Sequence, residues 1–122
     1  YPELFGTVAA GGASYMMEKL IQGNNGIEDD PRDNDEAIYY VGEGNDAWSL
    51  AKAHKHSGKS TPKLLLWSGK DDMNFKSIEK YSAYLDKLLL EHNFLAIEGI
   101  DHNPFLFYEK AGEELMRFHQ EN

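Results

Sequence analysis

One stretch of the sequence decides the fold: residues 64–72, which read LLLWSGKDD. An unbroken apolar run of Leu and Trp is typical of a strand that is buried on both faces, as strands in parallel sheets are. The run ends in Ser68 and Gly69, which mark a loop directly after the strand. The stretch therefore predicts a strand of a parallel sheet, with Asp71 and Asp72 in the loop at its carboxyl end.

Two further apolar runs predict neighbouring strands. Residues 94–98 form one of them, and residues 7–10, which lie between Gly6 and Gly11-Gly12, form a shorter one. Residues 15–22 predict a short helix, and residues 23–35, which are rich in Gly, Asn and Asp, predict a long exposed loop.

Helical patterns fill the intervals between these strands. Asp46 is placed to cap a helix over residues 47–56, which Ser57-Gly58 would end, and Asn103 followed by Pro104 predicts the start of the last helix. The helix after residue 72 has one apolar face, formed by Ile78, Tyr81, Leu85, Leu88 and Leu89. The last helix has a similar stripe, formed by Phe107, Ala111, Leu115 and Phe118. This alternation predicts an α/β layer of about three parallel strands.

Composition narrows the class of protein and its partners. A chain of 122 residues has room for one domain, and no apolar run is long enough to span a membrane. The formal net charge of −9 disfavours nucleic acid and anionic membranes as partners. Six acidic residues fall between positions 28 and 36, which is interpreted as a solvated loop because it lacks the spacing of a calcium-binding loop. The absence of Cys excludes disulfides and thiolate metal sites, and leaves the compartment open.

An Asp and a His follow neighbouring predicted strands. Asp72 follows residues 64–68, and His102 follows residues 94–98 in the loop Gly99-Ile100-Asp101-His102. Parallel strands lie about 4.8 Å apart, so their loops can bring a carboxylate within reach of an imidazole. Such a pair can accept a proton from a nucleophile, because the carboxylate orients the ring and stabilises the imidazolium.

Each candidate residue also has a structural interpretation. Asp72 could be only a helix cap, and Asp71 competes with it for either role. His54 and His56 are two residues apart on a helix and point to different faces, so no metal site is predicted, and His92 and His119 are interpreted as surface residues of helices. Ser14 is not predicted to be a nucleophile, because Met16 stands where a nucleophile elbow needs its last Gly.

At these residues the chain resembles the C-terminal half of an α/β-hydrolase of the esterase D type. That group includes S-formylglutathione hydrolases, feruloyl esterase domains and enterochelin-esterase-like enzymes. Residues 64–72 look like the strand and Gly-x-x-Asp turn that deliver the acid of the catalytic triad, and residues 99–102 look like the Gly-x-x-His turn that delivers the base. Residues 1–6 resemble the end of the helix that follows the nucleophile elbow in these enzymes. Residues 114–119 resemble their closing helix. The resemblance implies Asp72 as the acid and His102 as the base.

The resemblance also implies what this chain lacks. The Gly-x-Ser-x-Gly elbow and the oxyanion donors would lie upstream of Tyr1, so residues 1–122 are interpreted as the C-terminal half of a single domain. The expected function is part of a serine carboxylic-ester hydrolase that acts on a small-molecule ester without cofactor or metal. Ser14, Tyr15 and Trp48 are predicted to line its substrate pocket.

Two alternatives stay open at this point. The chain could be a non-catalytic binding or scaffold module, or it could self-associate through the open edge of the first strand instead of pairing with the missing half.

Overall fold

The computed structural model describes residues 4–13, 15 and 44–122 of the chain. Its elements are, in order, β1 (Thr7–Gly11), α1 (Ala47–Ser57), β2 (Lys63–Gly69), α2 (Phe75–Lys87), β3 (Asn93–Ile97) and α3 (Pro104–Glu121). The predicted α/β architecture with three parallel strands is confirmed. The helix predicted over residues 15–22 and the loop predicted over residues 23–35 lie outside the described residues, apart from Tyr15.

The sheet has the strand order β1-β2-β3, and both strand pairs are parallel. In the register, Gly11 is the partner of Trp67, and Gly69 is the partner of Ile97. All three strands therefore end at one edge of the sheet, which we call the carboxyl edge. The loops after β1, β2 and β3 all begin there, as expected for the part of an open α/β sheet that carries function.

The side chains of successive β2 residues point to opposite faces of the sheet and pack in two separate cores. Leu66 packs with Ile78, Leu85 and the rest of the core beneath α1 and α2. Leu65 points the other way and packs with Phe107, Leu115 and the rest of the core beneath α3. This two-sided packing accounts for the unbroken apolar run, because helices cover both faces of the central strand.

The helix ends follow the predicted capping residues. The side chain of Asp46 accepts the Ser49 N–H at 2.9 Å, α1 stops at Gly58 in the left-handed region, and the side chain of Asn103 accepts the Leu106 N–H at 3.1 Å. Burial opposes ionisation of Asp46, but the hydrogen bonds from the Ser49 hydroxyl and backbone outweigh it and hold the pKa of Asp46 below its ordinary value.

One predicted helix face is partly wrong. Leu89 was expected beside Ile78 and Leu85, but α2 ends at Lys87 and Leu89 is 81% exposed, with a φ of 54°. The left-handed turn at Leu89 lets the Leu90 N–H donate to the Leu85 carbonyl at 3.0 Å. Leu90 takes the buried position instead, because the chain reverses direction where the apolar spacing alone would continue the helix.

None of the helices in the described part of the chain combines the length and apolar character that crossing a bilayer would need.

Candidate functional site

The loop after β2 presents a buried carboxylate at the carboxyl edge. Asp72 has only 4% of its side chain exposed, and its Oδ1 accepts the Asn74 N–H at 2.7 Å. The loop is also tied to the loop after β3, since the Lys70 N–H donates to the Ile97 carbonyl at 2.8 Å and the Asp71 N–H donates to the Ile100 carbonyl at 3.0 Å. These backbone bonds fix the position of Asp72 relative to the residues that precede His102.

His102 lies against Asp72. Its Nδ1 is 3.0 Å from Oδ2 and 3.2 Å from Oδ1 of that carboxylate. A carboxylate can only accept, so in the neutral ring Nδ1 carries the proton and Nε2 keeps its lone pair. The side chain of His102 is about half exposed, at 47%, whereas its carboxylate partner is buried. The pair therefore has the form of a general base: an accessible imidazole that is held by a carboxylate.

The loop after β1 closes one side of this pair. Gly12 has a φ of +62°, and a β-carbon built on it would lie 3.6 Å from Cε1 of His102 and 3.9 Å from Oδ2 of Asp72. The Gly12 N–H donates to the Trp67 carbonyl, and its carbonyl accepts the side-chain N–H of Asn74 at 2.8 Å. All three carboxyl-edge loops thus meet at the Asp–His pair.

A pocket of about 250 Å³ opens beside His102. Asp72 and His102 share its wall with residues from all three loops and from the start of α3: Gly11, Gly12, Trp67, Gly69, Asp101, Asn103, Pro104 and Phe107. The indole of Trp67 lies directly against Gly11, where a β-carbon would come within 1.9 Å of the ring. Gly11 is therefore required for the indole to occupy this position.

The residues predicted to line a substrate pocket lie elsewhere or cannot be placed. Tyr15 stacks on Tyr81 with ring centroids 4.1 Å apart, and Trp48 packs edge-on against the same ring. Both belong to the core beneath α1 and α2, on the opposite face of the sheet from Phe107. Ser14 lies outside the described residues. The structure brings Asp72 and His102 together and does not bring Tyr15 or Trp48 to that pocket, so a substrate-binding role for these three residues stays a prediction.

Tyr15 provides a test of this packing. Its hydroxyl is buried with no hydrogen-bond partner among the described residues, and burial raises its pKa to about 12. An unsatisfied buried hydroxyl is costly, so we expect Tyr15→Phe to stabilise the full-length protein at pH 7 by about 1 kcal/mol. Tyr81→Phe should have the opposite effect, because the Tyr81 hydroxyl donates to the Ala47 carbonyl at 3.2 Å. Equal destabilisation by both variants in thermal unfolding would contradict this account.

The same substitution should change the alkaline limit of stability. Burial, followed by the neighbouring Tyr15, Tyr84 and Asp46, raises the pKa of Tyr81 to about 12 as well. Both hydroxyls lose their protons more readily in the unfolded chain than in the folded protein. The stability that comes from keeping them protonated is therefore fully present below pH 10, and the free energy of unfolding falls as the pH rises towards 12. We expect Tyr15→Phe to reduce the fall in melting temperature over that interval.

The described residues contain no group of three or more His, Asp or Glu side chains that could hold a metal ion.

The prediction that His92 is a surface helix residue is wrong. His92 precedes β3, its side chain is 4% exposed, and its Nε2 lies 2.7 Å from the Ser82 hydroxyl. Nδ1 of His92 lies 3.0 Å from the Leu90 carbonyl, so the left-handed turn after α2 is what carries this ring inward.

Gly12 and Asn74 were not identified from the sequence. A Gly-Gly pair after a short apolar run is a general turn signal, and an Asn two residues after an Asp before a helix is a general capping signal. Neither signal indicates a place beside the Asp–His pair, because Gly12 lies 90 residues before His102 and approaches it only when the sheet assembles.

The likeness of this chain to known proteins is a likeness of fold. The sequence matches no protein-family model and no curated protein sequence. Among solved structures, the chain is similar to S-formylglutathione hydrolase (FrmB) from Staphylococcus aureus, with a TM-score of 0.64 and 17% sequence identity. The similarity covers 93% of this chain but only 41% of that enzyme. The chain therefore shares the fold of part of that enzyme, which agrees with the α/β fold that the resemblance in the sequence implied.

Proposed function

We propose that this chain is part of a serine carboxylic-ester hydrolase, in which His102 is the general base and Asp72 orients it. The observation that carries the proposal is the 3.0 Å contact between Nδ1 of His102 and Oδ2 of Asp72, with the imidazole partly exposed beside a pocket. The likeness of the fold to an S-formylglutathione hydrolase supports the same reaction class. The nucleophile would be a serine supplied by sequence outside residues 1–122.

The chemistry follows from the state of the imidazole. Nε2 takes the proton of the serine hydroxyl as its oxygen attacks the ester carbonyl, and the buried Asp72 carboxylate stabilises the imidazolium that results. When the tetrahedral intermediate collapses, the ester bond breaks and Nε2–H protonates the departing alkoxide. A water molecule then repeats the cycle on the acyl-enzyme: it gives its proton to Nε2, and the serine recovers it as the acid leaves.

The edge of β1 indicates where the missing segment would lie. In the described sheet β1 pairs only with β2, and large apolar side chains are exposed on β1 and just before it, namely Leu4, Phe5 and Val8. An unpaired strand edge of this kind is normally covered. We propose that the segment carrying the serine pairs with β1, which would place it next to the pocket beside Gly11, Gly12 and His102.

A fluorophosphonate probe tests the proposal, because it forms a covalent bond only with an activated serine. We expect the native full-length protein to be labelled once, on a serine outside residues 1–122, and the denatured protein not to be labelled. Mass spectrometry of the tryptic peptides locates the label. Absence of labelling would refute the proposed role and leave a non-catalytic binding module as the interpretation. A label on a serine within this chain would refute the proposal that the nucleophile lies outside residues 1–122.

A further inference from the structure

Asn74 uses its side chain in an unusual way for a residue at the start of a helix. It is the N-cap of α2, where an Asn side chain normally accepts a backbone N–H of the first turn, but here it makes no such bond. Its amide instead donates to the Gly12 carbonyl at 2.8 Å, and its backbone N–H donates to Oδ1 of Asp72 at 2.7 Å. The residue is buried, so these bonds have little competition from water. Asn74 thus joins the loop after β1 to the carboxylate that holds His102.

Gly12, which Asn74 holds by its carbonyl, lies next to the His102 imidazole. Its carbonyl is held by Asn74 and its N–H by the Trp67 carbonyl, so both backbone groups of the residue are fixed. The position of its absent β-carbon is 3.9 Å from Nδ1 of His102 and 3.9 Å from Oδ2 of Asp72. Gly12 therefore lies against the two atoms whose contact defines the pair, and it limits the movement of a side chain that is otherwise half exposed.

We infer that Asn74 is a positioning residue, which keeps the His102 imidazole aligned on Asp72 by holding the Gly12 backbone against both; this inference rests on the proposed function. Asn74 does not touch the reacting atoms. It acts through Gly12, and loss of its amide frees the Gly12 carbonyl while the backbone bond to Asp72 is retained. A displacement of about 1 Å in a catalytic group can reduce turnover by about 100-fold, so the tie matters for rate more than for substrate binding.

Ser77 offers a matched control on the same helix. Its hydroxyl accepts the Tyr15 N–H at 2.9 Å, so it ties the same stretch after β1 to α2 with one hydrogen bond, and it is also buried. It lies outside the pocket beside His102. Asn74→Ala and Ser77→Ala therefore each remove one side-chain tie between the same two segments, and only the first of these ties ends on Gly12.

Steady-state kinetics of the full-length protein on p-nitrophenyl acetate separate the two variants. We expect Asn74→Ala to lower kcat by roughly 10- to 100-fold with KM within about threefold, and Ser77→Ala to change kcat by less than about threefold. Both melting temperatures should fall by similar amounts. If kcat falls equally in the two variants, Asn74 has only a structural role and the inference is overturned. Asn74→Ser is the second variant if Asn74→Ala does not fold, because a serine hydroxyl can accept a backbone N–H of the first turn of α2, a bond that the Asn74 side chain does not make.

A readout that does not depend on activity separates failure of this inference from failure of the proposed function. The Nδ1–H proton of His102, hydrogen-bonded to Asp72, should give a downfield proton resonance that His102→Ala removes. We expect this resonance to broaden or disappear in Asn74→Ala and Asn74→Ser and to persist in Ser77→Ala. An unchanged resonance in the Asn74 variants would overturn the inference. Absence of hydrolysis in the wild-type protein, with the resonance responding as expected, would overturn only the proposed esterase function.

Discussion

His102→Ala in the full-length protein is expected to reduce kcat for p-nitrophenyl acetate by about 10⁴-fold or more. In the proposed mechanism the variant lacks the imidazole that takes the proton of the attacking serine, and proton transfer and orientation of the base both contribute to the rate. Asp72→Asn should cost roughly 10²- to 10⁴-fold. An amide can donate to Nδ1 and so favour the tautomer that carries its proton on Nε2, where it cannot act as a base.

His119→Ala is the matched control for this experiment. His119 is an exposed histidine in the last turn of α3, at the far end of that helix from His102, and its Nδ1 lies 2.7 Å from the Thr7 hydroxyl. Its removal should leave kcat within about twofold, since the bond is at the surface. Circular dichroism and melting temperature check that each variant is folded. A folded His102→Ala protein that turns over at the wild-type rate would refute the role of His102.

Gly69→Ala is expected to destabilise the full-length protein by about 3 kcal/mol, the largest loss of stability that we predict. A β-carbon at this position would lie 2.0 Å from the Ile100 carbonyl oxygen and 2.6 Å from its carbon, so the clash is with backbone and not with a flexible side chain. Ile100 is fully buried, and its carbonyl accepts the Asp71 N–H at 3.0 Å. Relief of the clash must therefore move the loop that carries His102, and we also expect activity to fall.

Gly112→Ala is the control, because it makes the same chemical change in the middle of α3. The nearest atoms to the added carbon belong to Tyr108 at 3.9 Å, which is an ordinary contact. We expect this variant to be more stable than wild type by up to about 1 kcal/mol, since Ala is the better helix former. Denaturant unfolding of both variants measures the difference. Equal unfolding midpoints would show that the approach of Gly69 to Ile100 is not a tight contact in solution.

The elements of this fold are determined by local features of the sequence. Asp46 and Gly58 mark the two ends of α1, and Asn103 followed by Pro104 begins α3, because caps and breakers act on the backbone within a few residues. The run over residues 64–67 is apolar at every position, and only a strand with helices on both faces buries such a run completely. These signals predicted three parallel strands and the edge at which Asp72 and His102 would meet.

The exact partners at that edge depend on the tertiary structure. Spacing alone left Asp71 in competition with Asp72, and the family resemblance implied Asp72. In the structure it is the Asp72 carboxylate that contacts Nδ1 of His102. The spacing placed Leu89 on the apolar face of a helix and His92 on a helix surface, and it gave no sign of the left-handed turn that exposes the leucine and buries the imidazole.

The sequence by itself determined the strands, most helix ends and the edge of the sheet where an acid and a base are found. Only the tertiary structure decided that Gly12 and Asn74 enclose that pair, and that Tyr15 and Trp48 pack on the other face. The physical reason is the range of the interactions. Caps and apolar periodicity operate within a few residues, whereas the contacts around His102 join residues that are 30 to 90 positions apart and form only when the parallel strands align.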